Sequence, residues 1–524
     1  MNALQDVRVL VLGLGESGLA MARWCARGGA AVQVWDSRAA PPNAEALRES
    51  VPAARLYSGD LAGLPEGVQR VLKSPGLAPH DDRIAGLLAA ARTAGVPVQG
   101  ELDLFAAALA GLKAETGYAP QVLAITGTNG KTTTTAMTAL LVESTGRRVA
   151  MAGNIGPTML DTLSAALEAQ ALPEVWVLEL SSFQLDGATG FEPDAAALLN
   201  LTQDHLDWHG SMAAYAAAKA RIFGSRATIV VNRDDALALQ CLPQPQPAPP
   251  ETGGNARARA AAASAAARVP PRTVLRFGTD APRRPGDFGL VVEGGIAWLA
   301  RAAPAEPGER RRAAPEEELR IQRLMPADAL RVRGRHNAAN ALAALALASA
   351  IGCPLATMLH ALREYRGEPH RVEPVGSVGG IEAYDDSKGT NVGATVAALL
   401  GLGAELAPGR LATILGGDGK GQDFSPLAVP LARHGRAVAT VGRDAAAIEA
   451  ALGAALAEAG VPMQRHATLE EATAWCFAQA QPRDAVLLSP ACASLDMFRN
   501  YKHRAEVFVA AVQAVAAAAG EVQT

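Results

Sequence analysis

The segment QVLAITGTNGKTT, from Gln121 to Thr133, constrains this chain more than any other. An apolar run enters a loop holding Gly127, Gly130 and Lys131, and a Thr- and Ala-rich helical stretch follows. A strand that passes through a glycine loop into a helix opens a parallel sheet with crossover helices. In such a loop successive backbone amides point at phosphate oxygens, the helix adds its positive end, and Lys131 adds a full charge. Gly127, Thr128, Asn129, Gly130, Lys131, Thr132 and Thr133 are therefore expected to cradle a nucleoside triphosphate such as ATP, with the Thr132 hydroxyl on Mg²⁺. The full phosphate-loop pattern has a glycine five residues before Gly130. Ile125 stands there, so the match is to a shortened form.

The same alternation recurs on both sides of this segment, and the fold class is α/β. Residues 7–12 turn through Gly13-x-Gly15-x-x-Gly18 into a helix and return as a strand at 31–35 that ends on Asp36. Taken alone, that spacing suits a dinucleotide, and an NAD-linked oxidoreductase or sensor stays open on these residues. Further strand-like runs at 381–385, 411–415 and 485–489 each end in a polar loop with Gly or Ser. Three units are expected: a Rossmann-like one over 1–100, a phosphate-loop unit over 101–367, and a second Rossmann-like one over 368–524. Composition shifts mark two surface insertions in the central unit, a Pro- then Ala/Arg-rich tract near 242–272 and an RRR-and-EEE tract near 301–323. The first reads as a flexible lobe, and neither carries chemistry.

Charge narrows the function. With 48 Lys and Arg against 52 Asp and Glu, the net charge of -4 gives no electrostatic ground for nucleic-acid binding. Residues 341–359 are uncharged and long enough to suggest a membrane span. They are mostly Ala and contain Pro354, which predicts a buried helix followed by a turn and no membrane insertion. The five cysteines form no C-x-x-C pair, and the amino terminus has no basic leader, so a cytoplasmic setting is expected. A monomer is expected as well, though no sequence feature fixes it.

Three single residues stand out of their surroundings. Glu179 is the one acid in the apolar run VWVLEL, where it has few structural uses and suits a metal. The run at 195–201 brings Asn200, Thr202, Asp204 and His205 to the same sheet edge. His205 and His209 are spaced like a zinc pair on a helix, but no third nitrogen or sulfur ligand is evident. His205 is therefore expected in a Mg²⁺ or Mn²⁺ shell beside Glu179, and His209 is expected to face solvent. Ser211 caps a helix whose apolar stripe is Met212, Tyr215, Ala216, Ile222 and Phe223, and Lys219 falls on that stripe. It either snorkels to water or is a desolvated lysine with a depressed pKa, available for reaction or for phosphate.

The runs AITGTNGKTT (124–133), LELSSFQL (178–185), LNLTQDHLD (199–207) and GRHNAANALAA (334–344) resemble the Mur ligases over nearly the whole chain. DDSKGTN (385–391), LGGDGKG (415–421) and LLSPACASLDMFRNY (487–501) are most similar to the members that add D-glutamate. The D-N-P-R motif of the diaminopimelate-adding members is absent. The resemblance implies ATP-dependent joining of UDP-N-acetylmuramoyl-L-alanine to D-glutamate in peptidoglycan precursor synthesis. A folylpolyglutamate synthase-like ligase is the alternative.

By that resemblance Lys131 and Thr132 hold phosphate and metal, Glu179 and His205 ligate magnesium, and Lys219 is carbamylated, which turns an unwelcome buried cation into an anion that helps to hold Mg²⁺. Asn337 and Asn340 meet ATP, Asn154 lies near the muramoyl group, and Arg371 reaches the γ-phosphate on closure. Lys388, Thr390, Lys420, Ser494 and Tyr501 surround the D-glutamate carboxylates, Tyr501 standing where phenylalanine is usual. The first glycine loop is reassigned from NAD to UDP, with Glu16, Ser17, Asp36, Ser37, Arg38, Ser74, Pro75 and Gly76 as its contacts.

Overall fold

Apolar runs punctuated by glycine turns become strands, and the amphipathic stretches between them become crossover helices. The computed structural model describes residues 4–61, 63–243, 272–304 and 319–521. The first sheet orders its strands Arg55–Ser58, Ala31–Asp36, Arg8–Leu12, Arg70–Lys73 and Val98–Gln99, all parallel. The second is also parallel, in the order Val274–Phe277, Thr228–Asn232, Ala195–Leu198, Gln121–Thr126, Val175–Glu179 and Val149–Gly153. The third runs Glu373–Val378, Ile381–Asp385, Ala485–Leu488, Leu411–Gly416, Gly435–Val441 and Met463–Arg465, and only its first strand is antiparallel to its neighbour. The central strands, such as Val175–Glu179, Ala195–Leu198 and Leu411–Gly416, are buried on both faces, which is why they read as continuous apolar runs rather than alternating ones.

One apolar core is shared between the first two sheets. The helix Glu101–Thr116 supplies Leu102, Leu104, Phe105 and Leu112, which pack with Val9 and Val11 of the first sheet and Trp176 and Leu178 of the second. Phe105 meets Trp176 edge to face at 4.9 Å. Glu101, at the start of that helix, is buried, and its Oε1 accepts from the Leu160 N–H at 3.0 Å. Burial pushes its carboxyl up to about 7.

The other face of the central sheet packs on Lys131–Glu143 and on Arg335–Ala350. The second of these helices contains most of the uncharged stretch singled out above. Its Ala344, Ala346 and Ala348 are fully buried, small side chains that let it lie close on its neighbours. It ends at Ala350, and after a turn Leu355–Leu362 forms a further helix. Among the described residues no helix is long and apolar enough to cross a membrane.

The stretch 301–323 requires a correction. It begins and ends inside paired antiparallel strands, Ile296–Pro304 and Leu319–Pro326, which form a small sheet with Phe288–Glu293. Ala300 and Ala302 alternate inward along the first of them, a period-two pattern that the flanking arginines obscure. Residues 305–318, like 244–271 of the other proposed insertion, lie outside the described residues. All five cysteines are free.

Candidate active site

The strand Gln121–Thr126 sits between Ala195–Leu198 and Val175–Glu179, with Ile125 opposite Glu179 and Thr126 opposite Leu198. Three loops therefore leave the same sheet edge, the position where open parallel sheets bind ligands. Gly130 has φ +80°, a conformation that favours glycine, and an added Cβ would come within 2.5 Å of Asn340 Oδ1 and displace that amide. Asn129 and Asn200 lock the glycine loop to the next one: Asn129 N–H donates to Asn200 Oδ1 at 2.8 Å, and Asn200 Nδ2 donates to Asn129 O at 3.0 Å. Thr128 Oγ1 donates to Thr202 O at 3.2 Å and lies 3.0 Å from the Tyr215 hydroxyl. On Arg335–Ala350, Asn337 donates to Arg333 O at 2.7 Å and Asn340 donates to Asn337 Oδ1 at 3.2 Å. With Thr133 and Gly130 they line a crevice against Arg371 and Asp386.

Lys219 does not snorkel. It is 2% exposed, its ammonium donates to Gly127 O at 2.8 Å and to Thr126 Oγ1 at 3.3 Å, and it lies over the Tyr215 ring. Burial, with the charge of Lys131 beside it, drives its pKa well below the ordinary lysine value. Lys131 folds back to donate to Gly127 O at 3.0 Å and Thr128 O at 2.8 Å, and burial lowers its pKa despite the attraction of Glu179.

Glu179 is buried at the strand end rather than facing water. Its Oε1 accepts from Asn154 Nδ2 at 2.7 Å, while its Oε2 is buried with no partner. A carboxylate oxygen left in that condition is costly unless a cation meets it. His205 is held in the left-handed region (φ +53°) with Nε2 3.5 Å from Asp204 Oδ2, and its ring is edge-on to Phe183. Burial lowers its pKa, which favours the neutral imidazole that a metal ligand requires.

His209 does not face solvent as expected. The helix Leu206–His209 is a single turn, too short to present opposite faces, and the ring stacks on Phe183 with Nε2 2.9 Å from Ser182 Oγ. Among the described residues the one close trio of metal-type ligand atoms is His370, Glu373 and Asp385, which includes neither Glu179 nor His205. That trio is spent on itself. His370 Nδ1 lies 2.7 Å from Asp385 Oδ2, and Glu373 accepts from His370 N–H at 2.8 Å.

This knot fixes the loop that carries Arg371, between two residues of positive φ, His370 (+65°) and Val372 (+48°). Arg371 Nη2 donates to Thr132 Oγ1 at 3.3 Å, and Lys388 Nζ donates to the same oxygen at 3.2 Å. Asn129 and Asn391 exchange side-chain hydrogen bonds at 3.1 and 3.0 Å. Sequence reasoning missed Asn391. Its signal was present, since it caps the helix Val392–Leu406, but a cap does not reveal a partner 262 residues away. Four basic side chains, Lys131, Lys219, Arg371 and Lys388, thus donate to main-chain carbonyls or to threonine hydroxyls at this edge, while Glu179 and Asp204 attract Lys131 and Lys219 at longer range.

The remaining residues expected at the amino acid lie on loops at the carboxyl ends of the third sheet. Lys388 Nζ is 5.9 Å from the Tyr501 ring centre, and burial lowers its pKa to about 8. Thr390 closes a turn back to Lys388 O, Ser494 is buried, and Lys420 is exposed at φ +51°. Asp418 and Ala493 pair through their main chains and so join the Lys420 loop to the Ser494 loop.

At the carboxyl ends of the first sheet's strands, Gly13, Gly15, Glu16, Ser17, Asp36, Ser37, Arg38, Ser74, Pro75 and Gly76 line one cleft of about 490 Å³. Asp36 is fully engaged, accepting from Leu14 N–H at 2.7 Å and from Arg38 at three nitrogens, which hold its carboxyl down at about 2. Gly18 has no room for a Cβ, which would fall 1.9 Å from Gly13 O. Arg83, unforeseen in the sequence, also lines this cleft and donates to Ser37 Oγ at 2.8 Å. Asn154 lies on Glu179 and not in this cleft.

Three family models match the chain: the MurD-like amino-terminal domain of Mur ligases over 7–100, the Mur ligase middle domain over 125–266, and the Mur ligase glutamate ligase domain over 370–492. A UDP-N-acetylmuramoylalanine–D-glutamate ligase of Albidiferax ferrireducens is 57% identical over 99% of this chain and 98% of its own. The enzyme of that name from Burkholderia mallei is also 57% identical, over 98% of each chain. Among solved structures, the MurF ligase of Thermotoga maritima in complex with ADP shares the fold, with a TM-score of 0.52 at 16% identity, covering 98% of this chain and 96% of that one. On the evidence of full-length relatives at this identity, the chain belongs to the Mur ligase family.

Proposed function

We propose that this enzyme joins the amine of D-glutamate to the carboxylate of UDP-N-acetylmuramoyl-L-alanine at the expense of ATP, as the names of its relatives indicate for them. The observation that carries the reading is the Thr132 hydroxyl. Arg371 and Lys388, from the third unit, both donate to it on the glycine loop of the second. A carboxylate and an amine condense in water only after the carboxylate is activated. Its oxygen takes the γ-phosphoryl group, ADP leaves, and the amine then attacks the acyl carbon. The C–O bond to phosphate breaks, and the amine nitrogen gives up a proton. Negative charge concentrates at each stage, and the fixed cations Lys131, Arg371 and Lys388 stand where it develops.

The donor set suits a divalent cation, because Glu179 Oε2 is buried and unpartnered while Asn154 secures the other oxygen. Thr132, Glu179 and His205 would hold Mg²⁺ or Mn²⁺, and when bound it neutralises phosphate charge. Lys219 supports carbamylation. Burial and the neighbouring charge of Lys131 disfavour the charged form of its amine, so the nitrogen lone pair can take CO₂ with loss of a proton, and the resulting anion would sit beside Lys131. The crevice between Asn337, Asn340 and Asp386 is proposed for the adenosine part of ATP. The cleft around Asp36 and Arg38 is proposed for UDP, Asn154 for the muramoyl arm, and Lys388, Thr390, Lys420, Ser494 and Tyr501 for the two carboxylates of D-glutamate. We assign domains of 1–100, 101–367 and 368–524 to these three substrates, acting in one cytoplasmic monomer.

The test is phosphate release that requires both UDP-N-acetylmuramoyl-L-alanine and D-glutamate, with ¹⁸O from the substrate carboxylate appearing in the phosphate. Unlabelled phosphate would overturn the acyl-phosphate route. Turnover with folate in place of the muramoyl compound would move the enzyme to the folylpolyglutamate class.

A further inference from the structure

The helix Tyr501–Ala518 buries a residue that its apolar face does not call for. Arg504 is 2% exposed, its Nη1 donates to Cys492 O at 3.1 Å and its Nη2 to Ser387 O at 2.7 Å, and its Nε is buried without a partner. Asp385, Asp386 and Asp496 attract it only at longer range, and both of these hydrogen bonds go to main-chain carbonyls. A position that needed only volume would be served by leucine or methionine without desolvating a charge. The charge therefore has a task, and the task is to be found in the two carbonyls.

Ser387 immediately precedes Lys388, and Cys492 stands two residues before Ser494. The two loops leave neighbouring parallel strands, Ile381–Asp385 and Ala485–Leu488. The two segments also touch directly: Asp386 N–H donates to Leu488 O at 2.8 Å, Ala491 N–H donates to Gly389 O at 3.1 Å, and Ser489 Oγ donates to Asp386 Oδ2 at 2.7 Å. Ala491 has φ +59°, a conformation that a residue with a Cβ keeps only where its surroundings impose it. A guanidinium is a planar fork with fixed nitrogen spacing. When it holds one carbonyl from each loop, it sets the gap between them, which an ammonium on a flexible stem does not.

We propose that Arg504 is a positioning residue that fixes the separation of Lys388 and Ser494 and so selects the length of the acidic amino acid, favouring D-glutamate over the one-carbon-shorter D-aspartate. This rests on the assignment of those two residues to the amino acid carboxylates.

Arg504→Lys keeps the charge and loses the fork. It should raise KM for D-glutamate about tenfold, since small misplacements of binding groups are costly. KM for ATP and for the UDP-linked substrate should stay within about twofold. The ratio of kcat/KM for D-glutamate over D-aspartate should fall by about fivefold or more. Arg504→Gln, which keeps a neutral donor, should shift the same two quantities further in the same direction. Unchanged D-glutamate KM and unchanged discrimination would overturn the proposal, as would an equal rise in all three KM values. Failure of both variants to fold would assign Arg504 to stability alone and overturn it too. A wild-type enzyme with no D-glutamate-dependent turnover would instead sink the functional reading, whereas an active wild type beside an unaltered Arg504→Lys variant sinks only the clamp.

Discussion

The glycine loops at 13–18 and 127–130 have the same local grammar, a strand, a turn and a helix, yet they are electrostatic opposites. Around the first, charge is balanced. Asp36 accepts from Arg38 and from Leu14 N–H, and Asp81 takes up Arg83. Around the second, Lys131 and Lys219 donate to main-chain carbonyls and Arg371 and Lys388 to the Thr132 hydroxyl, while Glu179 keeps an oxygen without a partner. Glycine spacing fixes only how closely a ligand approaches the backbone, and the side chains beyond the loop decide which ligand the site tolerates. A balanced cleft suits a nucleotide held by its shape and hydroxyls. Basic groups that are not bonded to carboxylates suit a ligand of high negative charge.

The largest expected effect breaks this contrast at its centre. Lys131→Met should lower kcat by about 10²–10³, the loss typical of one preorganised donor at a developing charge. Binding of the UDP-linked substrate, measured by calorimetry, should hardly change. An equal loss of that binding would mean that the two loops do not act on separate ligands. Next, Lys219→Ala should cost about 10² in kcat, and bicarbonate or short carboxylates should restore part of it by supplying the missing anion. An Ala variant with full activity would discard any role for a carbamate.

Much of this second loop was legible because its residues violate their surroundings. Glu179 interrupts an apolar strand, Lys219 interrupts an apolar helix face, and both prove to be buried. The strands themselves were legible for the opposite reason: double-sided burial makes them uniformly apolar, as in Gln121–Thr126. Residues defined by a distant partner left no such mark. Asn391 reads as a helix cap, and Arg504 reads as an ordinary charged position near the end of the chain. The face of His209 was not legible, because a four-residue helix offers no periodicity from which to infer one. The strands bounding 305–318 were hidden by arginines that lie on their outward positions.

A smaller effect sharpens the contrast through pH. Burial holds Lys388 at about 8, below the ordinary lysine value of 10.5. It is charged below that point and neutral above it, so its attraction for a carboxylate weakens as pH rises through about 8. KM for D-glutamate should therefore climb between pH 8 and 9.5 in the wild type, approaching about tenfold per pH unit at the limit. Arg371 carries no such liability, because a guanidinium remains charged throughout, and Lys388→Arg should flatten the profile. A wild-type KM independent of pH over this range would remove Lys388 from the amino acid site.

The smallest effect belongs to the balanced cleft. Asp36→Asn keeps the shape, retains an oxygen for Leu14 N–H and loses the charge that Arg38 neutralises. Arg38 is about half exposed, so solvent screens much of this pair, and the substitution should cost about 1 kcal/mol in stability at pH 7. KM for the UDP-linked substrate should rise a few-fold with kcat unchanged, because Arg38 is freed to move. The sign with pH follows from the depressed carboxyl, about 2 when folded against 3.8 ordinarily. Between those values the unfolded chain binds more protons, so the wild-type advantage is complete above about pH 4 and fades as pH falls toward 2. Denaturation of both proteins at pH 7 and pH 3 checks this. A gap as large at pH 3 as at pH 7 would mean that Asp36 acts through shape alone, and the electrostatic balance of the first loop would have to be sought elsewhere.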